Sequence, residues 1–508
     1  MNGSTLVVAP IAVPLIAAVL LLWIEAQAPR WLRLCSGLSL LIGVVVAATL
    51  SSIVDVDASG VRAPGLHAVG DWVPPFGIVL VADGLSTLMV LLTAVVVGIS
   101  VWQSMALGID LAGRHYHTLV QLQIMGLNGA FLTGDFFNLF VFFEVLLLAS
   151  YGLLLQGGAE RQLRPGLHYV VINLLGSALF LLGAGLLYGA AGTLNMADLA
   201  RRLPDLEPQA GQLTAVACTL LGVVFALKGA VGPLGLWLPG VYTRLPGGVA
   251  ILFALMTKVG LYALLRLYVD VLAAAPEIWL AGARMVLWCA GVLAMAMAAF
   301  LVLGVSTLSG LAAAVVLISS GTVLTALSFA TVPAISATLY YLVHSTLATA
   351  LLFALADLLR RERPQARDDF TSGESLSPAL RAWLAIGLLA VSGLPPFSGF
   401  IAKFGVLAGS LGHSGWGWFW LLVLVAGLAT LARSADAWLT IGGGPRAARP
   451  ASFASLCPVA VLAILGVAIA LAAAPVQQWG LDAARQIESG TSRMALDVDV
   501  HPRTGGHP

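Results

Sequence analysis

Apolar runs of membrane-spanning length follow one another along this chain with little between them, and no other feature limits its fold as much. They lie near 5–24, 31–50, 77–102, 115–133, 136–156, 166–190, 213–231, 248–270, 279–303, 305–329, 333–358, 380–410, 416–438 and 455–474, fourteen candidate spans in all. About 20 apolar residues cross a bilayer as a helix, whereas soluble domains carry roughly 25% charged residues. Here 59% of the 508 residues are apolar and only 10% charged, so no soluble domain of ordinary size is hidden between the spans. Backbone groups in hydrocarbon must find their hydrogen bonds within the chain, and continuous runs without alternation select helices over a barrel. The expected fold class is all-α, a polytopic membrane protein.

The same arithmetic removes other classes. A net charge of +1 offers no basic surface to nucleic acid, and no Walker loop or Gly-rich phosphate turn is present. Cys35, Cys218, Cys289 and Cys457 each stand alone in an apolar run, which fits neither a zinc site nor a disulfide framework, and no resident cofactor is implied. The first run, Thr5 to Ile24, has no basic stretch before it and further spans behind it, so it reads as a retained helix. Arginines concentrate in alternate loops: fourteen, among them Arg30, Arg114, Arg161, Arg244, Arg360, Arg361 and Arg449, against six in the other loops and the tail. The positive-inside rule then places both termini outside and makes the polar segment 360–379 a cytoplasmic loop. The tail from about 476 is expected to be loosely ordered.

Two spans look broken. In FALKGAVGPLGLWLP (225–239) a helical run meets Gly229, Gly232, Pro233, Gly235 and Pro239, and in GLPPFSGFIAKF (393–404) Gly393, Pro395, Pro396 and Gly399 interrupt another. Either cluster alone could be a simple kink. Paired discontinuous helices at matching places in two halves point to inverted repeats with a site near the midplane. The expected organisation is an N-terminal three-helix segment 1–114, repeats of five helices at 115–270 and 279–438, a C-terminal helix 439–475 and the tail 476–508.

The lysines carry the main functional signal. The chain has only three, Lys228, Lys258 and Lys403, each inside an apolar span, while its other 22 basic residues are arginines. Guanidinium stays protonated, whereas a desolvated ammonium can release its proton, so these three places are read as needing a proton that can leave. A charge at the bilayer centre costs on the order of 2.5–3.5 kcal/mol and faces a partner or a hydrated cavity. The candidate partner of Lys228 is Glu144, among phenylalanines in 136–156; a static ion pair that fixes helix register is the alternative. His344 adds an imidazole within an apolar run, with Tyr340 one turn earlier, and reads either as a proton shuttle or as a satisfied core residue. Glu144, Lys228, Lys258, His344 and Lys403 are expected to form a lateral row at one membrane depth that water bridges into a proton wire. Asp83 and Asp135 read as helix-end acids, Asp357 as an interfacial neighbour of Arg360 and Arg361, and Arg433 with Asp436 as a structural pair.

TGDFFNLFVFFEVLLLASYGLLL, MTKVGLYALLR, YYLVHSTLATALLF and GLPPFSGFIAK together resemble the antiporter-like subunits shared by complex I and the Mrp-type multisubunit cation/proton antiporters, over about 115–410. The phrases around Glu144, GTLNMADLA at 192–200 and YYLVH resemble most the D subunit of an Mrp (Mnh, Pha) antiporter. The resemblance implies fourteen helices with inverted repeats and broken seventh and twelfth helices. It also implies a coupling pair at Glu144 and Lys228, a central lysine at Lys258, a histidine link at His344 and a terminal lysine at Lys403. A bacterial inner-membrane location, other Mrp subunits as partners, and protons and Na⁺ or another monovalent cation as cargo follow from it too. Departures are PLGLWLPGVY, with Gly235 and Gly240 where the family often has His and Asp; TLSG at 307–310, with Ser309 and Gly310 where a D-x-K-R pattern is common; and Thr349 near a frequent Lys. These thin the row between Lys258 and Lys403. A second class with the same fold is a proton-pumping module of a quinone reductase or membrane hydrogenase.

Overall fold

The computed structural model describes residues 6–25, 29–53, 65–72, 74–155, 159–371, 376–441 and 451–488. Apart from the start of 77–102, each apolar run falls on a helix or on a helix in two pieces. The N-terminal segment holds α1 (Ala9–Ile24), α2 (Pro29–Ile53) and α3 (Gly84–Leu107). Then come α4 (Tyr116–Leu132), α5 (Phe136–Leu154), α6 (Ala159–Ala191), the short α7 (Met196–Arg202), α8 (Pro208–Lys228), α9 (Trp237–Tyr242) and α10 (Gly247–Leu265). The second half is α11 (Glu277–Gly304), α12 (Leu308–Ser328), α13 (Val332–Glu362), α14 (Pro378–Ser392), α15 (Ser398–Gly409), α16 (Trp416–Thr440), α17 (Phe453–Leu471) and α18 (Ala473–Glu488). Among the described residues eleven helices are long and apolar enough to cross a membrane unaided, while α1, α14 and α15 are shorter apolar helices.

Local chemistry sets the ends of these elements. Asp83 accepts from the Ser86 amide while the Ser86 hydroxyl accepts from the Asp83 amide, a reciprocal cap that starts α3. Asp135 caps α5 through the Asn138 amide at 2.9 Å, and Asn195, Thr307 and Thr331 cap α7, α12 and α13 in the same way. Pro208 and Pro378 open α8 and α14, where a missing N–H costs nothing. The centre of the bundle is made by α10, α12 and α13, whose apolar windows are wholly buried, while that of α2 is only 22% buried. A helix apolar on every side is one surrounded by others.

Two expectations are corrected. The run 77–102 does not begin as a helix: Val79–Ala82 is a strand, β2, paired antiparallel with β1 (Gly65–Ala68), so among the described residues the otherwise helical chain carries one small hairpin. Its Val-Leu-Val sequence reads as apolar run or strand alike, and only the Asp83 cap separates it from α3. The tail from 476 is not loosely ordered throughout, because α18 packs Ala483, Ala484, Gln486 and Ile487 into the protein, with Gln486 Oε1 accepting from the Gly84 amide at 2.9 Å. Residues 489–508 lie outside the described residues, as do Arg446 and Arg449.

The two halves share a backbone signature. Phe136 N–H donates to Leu194 O and Met196 N–H to Gly134 O, both at 2.9 Å. In the second half Leu308 N–H donates to Asp368 O and Phe370 N–H to Ser306 O, at 2.9 and 2.8 Å, in the same reciprocal register. Five crossings, α5, α6, α8 with α9, α10 and α11, separate the starts of α5 and α12, so the two bridges sit at opposite ends of the bundle. That is the arrangement of an inverted repeat.

Candidate functional site

The first broken helix ends at Lys228, and residues 229–236 run as turns before α9. Backbone freed from a helix in hydrocarbon must be satisfied by its surroundings. Here the Ser320 hydroxyl donates to Gly229 O at 2.8 Å, the Trp237 indole to Leu227 O at 3.4 Å, and Val231 N–H to Ala226 O at 2.9 Å. Gly232–Pro233 is a cis peptide, as is Pro395–Pro396 in the second break. Gly260 on α10 lets the break lie directly on the central helix.

Lys228 is 5% exposed, and its Nζ stands 5.0 Å over the Phe143 ring. It is not in direct contact with Glu144, as the sequence alone suggested it would be. Ser177 from α6 intervenes: its hydroxyl donates to Glu144 Oε1 in a short hydrogen bond and accepts from Lys228 Nζ at 3.5 Å. Lys258, fully buried on α10, donates to Ser319 Oγ at 2.8 Å. Ser319 and Ser320 are consecutive on α12, so one turn of that helix holds both Lys258 and the carbonyl next to Lys228.

His344 is 5% exposed on α13, and its Nδ1 lies 2.9 Å from the Ser398 hydroxyl, the first residue after the second break. The other edge of its ring faces Gly399, where a Cβ would stand 2.9 Å from Cε1 and Nε2. Tyr341, not Tyr340, is its aromatic neighbour, with ring centroids 6.4 Å apart; the Tyr340 hydroxyl instead donates to Ile469 O at 3.1 Å. Lys403 on α15 reaches back across the break and donates to Ser392 O, the last residue of α14, at 2.8 Å. A cation on the final carbonyls of a helix meets the negative end of its dipole. A cavity of about 20 Å³, lined by His344, Lys403, Thr322, Tyr341, Ser345 and Thr430 among others, joins His344 and Lys403. That volume holds about one water, and the lining offers it several polar partners.

Two acids are buried more deeply than their positions in sequence suggest. Asp83 caps α3 but does not snorkel: it is fully buried, with Arg266 donating to both its oxygens at 2.6 and 2.7 Å and to Asp270 at 2.9 Å. Nothing in the sequence flagged Arg266, which lies 183 residues away. Asp357 is buried against Gly247 at the start of α10 and lies 3.9 Å from Arg360. Arg433 and Asp436 do pair on one face of α16. The three serines beside Glu144, Lys258 and His344 had no sequence signal, since an isolated serine in a membrane helix ordinarily bonds its own backbone. Among the described residues no cluster of His, Cys, Asp or Glu could hold a metal ion.

Fold and site together define a class: polytopic helical membrane proteins with two broken helices and buried ionisable side chains at the breaks and on the central helices. The NADH:quinone oxidoreductase/Mrp antiporter transmembrane family model matches residues 133–430, and the chain belongs to that family. A Rhizobium meliloti protein named as the probable D subunit of a K⁺/H⁺ antiporter is 37% identical over 458 residues, 84% of each chain. The D subunit of the Na⁺/H⁺ antiporter of Alkalihalophilus pseudofirmus is 33% identical over 499 residues, 95% of this chain and 97% of its own. Among solved structures, a chain of the Mrp complex from Dietzia sp. DQ12-45-1b superposes with a TM-score of 0.88 at 24% identity, covering 98% of this chain and 100% of that one. One from respiratory complex I of Thermus thermophilus gives 0.79 at 23%, covering 96% and 99%.

Proposed function

We propose that the chain is the D-type subunit of a multisubunit monovalent cation/proton antiporter in a bacterial cell membrane, a secondary transporter subunit and not an enzyme. Protons move along Glu144, Lys228, Lys258, His344 and Lys403 in exchange for Na⁺ or K⁺, within a hetero-oligomer of other Mrp-type subunits. The observation that carries this reading is the set of buried amines and the imidazole held by hydroxyls or a helix end at the two breaks and on the central helix, where static packing would favour apolar side chains. The relatives at 33–37% identity, both named as antiporter D subunits, support it over the redox-driven module of the same fold.

The row lies within the two repeats proposed at 115–270 and 279–438. In the second repeat Ser309 donates to Asp368 and Thr349 bonds back to Ser345 O, so neither replaces a missing charge, and the cavity between His344 and Lys403 has room for about one water to bridge them. Everted vesicles containing the assembled complex test the reading. Glu144→Ala and Lys228→Ala should each abolish cation-dependent proton exchange at normal subunit abundance; wild-type exchange in both would defeat it. Co-purification of small membrane subunits is expected, and of iron–sulfur or flavin subunits would favour the redox module.

A further inference from the structure

Among the described residues no oxygen of Glu144 lies within ion-pair distance of Lys228 Nζ, although the two are proposed above as a coupled pair. The gap is filled by one side chain. Ser177 is 7% exposed in the middle of α6 and meets both groups, donating to Glu144 Oε1 and accepting from Lys228 Nζ. Its position is enforced from two directions. Gly176 keeps α6 against the lysine stem, since a Cβ there would already touch Leu227 at 3.0 Å and Lys228 Cε at 4.0 Å. On the other side the Phe143 ring closes over Nζ, so the ammonium has a π face and a hydroxyl as its two contacts. A serine hydroxyl has one proton and two lone pairs and turns freely about its C–O bond, so it can accept from one neighbour while donating to the other.

Resting on the relay reading, we propose that the Ser177 hydroxyl is the proton-transfer element between Lys228 and Glu144. In the forward step an N–H bond of the Lys228 ammonium breaks and its proton joins Ser177 Oγ, while the O–H bond of Ser177 breaks and that proton joins Glu144 Oε1. The products are a neutral amine, a neutral carboxyl and an unchanged serine whose hydrogen now points at the amine. Proton number is conserved, and the reverse step retraces the path. A second transfer in the same direction requires the hydroxyl to rotate back, so each swing passes one proton. Ser177 is thereby a group that touches the reacting atoms, not a spacer.

The test uses the assembled complex in everted vesicles. Ser177→Ala should lower exchange at least tenfold, with subunit abundance and the half-saturating cation concentration unchanged. The ratio of rates in H₂O and D₂O should rise, because transfer through a substituted water becomes limiting. Ser177→Thr, which keeps the hydroxyl, should stay within about twofold of wild type. Full exchange in Ser177→Ala overturns the proposal, as does equal loss in both variants with an unchanged isotope ratio, which marks a packing role. Lys228→Ala assayed alongside separates the two levels. If it too exchanges normally the relay itself fails; if it is inactive while Ser177→Ala is normal, only the role of the hydroxyl fails.

Discussion

A Cβ on Gly260 would stand 2.2 Å from the Gly229 amide nitrogen and 2.6 Å from the Lys228 carbonyl carbon, nearer than real contacts come. The clash is with backbone, so no rotamer relieves it, and Gly260→Ala must push the broken helix off α10. Overpacking of this kind costs about 1–3 kcal/mol. Gly282→Ala on α11, with nothing within 4 Å, should be neutral or slightly stabilising in the same assay. Thermal melting of the purified complex and exchange in vesicles check both, and Gly260→Ala should lose exchange more than tenfold because Lys228 moves with the break. At this scale the sequence was half legible. Lysine in an apolar run is visible because its cost demands a reason. Ser177, Ser319 and Ser398 are not, because hydroxyls are cheap in helices and only the fold shows which face an amine, a carboxylate or an imidazole. Arg266 and Asp83 are invisible as a pair for a different reason: each looks like a helix-end charge, and only the packing of α3 against α10 brings them together.

Elements are held at their ends by polar junctions, and the one at the start of α12 responds to pH. Asp368, in the loop after α13, accepts from the Ser309 amide and hydroxyl at 3.1 and 2.6 Å and from Arg360 Nε at 3.0 Å. Burial alone would raise its carboxyl, but the Arg360 charge and these hydrogen bonds outweigh that and hold it below the usual carboxylate range. A depressed folded pKa means that the stabilisation is complete above the unfolded value near 3.9 and is lost as pH falls through the folded one. Asp368→Asn should therefore lower stability by about 1–3 kcal/mol at pH 7 and remove part of the acid limb below about pH 4. Melting curves of variant and wild type across pH 3–7 read both, and parallel acid limbs would assign the loss to other groups. The breaks at 229–236 and 393–397 were readable because Gly and Pro interrupt periodicity visibly. The hairpin and α18 were not: four apolar residues of β2 are too short to show alternation, and the alternating polar and apolar residues of α18 resemble a solvated tail until Gly84 and Ser336 are seen beneath it.

At the scale of the whole molecule, the reciprocal bridges at 134–136 with 194–196 and at 306–308 with 368–370 repeat one backbone motif in the two halves, but the charges are not copied with it. The first half holds an acid, a hydroxyl and an amine in contact, Glu144, Ser177 and Lys228; the second holds an imidazole and an amine on either side of a cavity for about one water. Lys258 lies between, tied to the same turn of α12 that supports the first break. If the row is a single wire, interruption at its centre is as complete as interruption at its end, and groups that act in series do not add. Lys258→Ala should then abolish exchange as fully as Lys228→Ala, and the double variant should be no worse than either. Two independent half-paths predict the opposite, a partial loss from each substitution and the sum of the two losses in the double variant. The cycle measured in everted vesicles decides between them, and a partial loss from each substitution with a larger one in the double variant would replace the single wire by two separate half-paths.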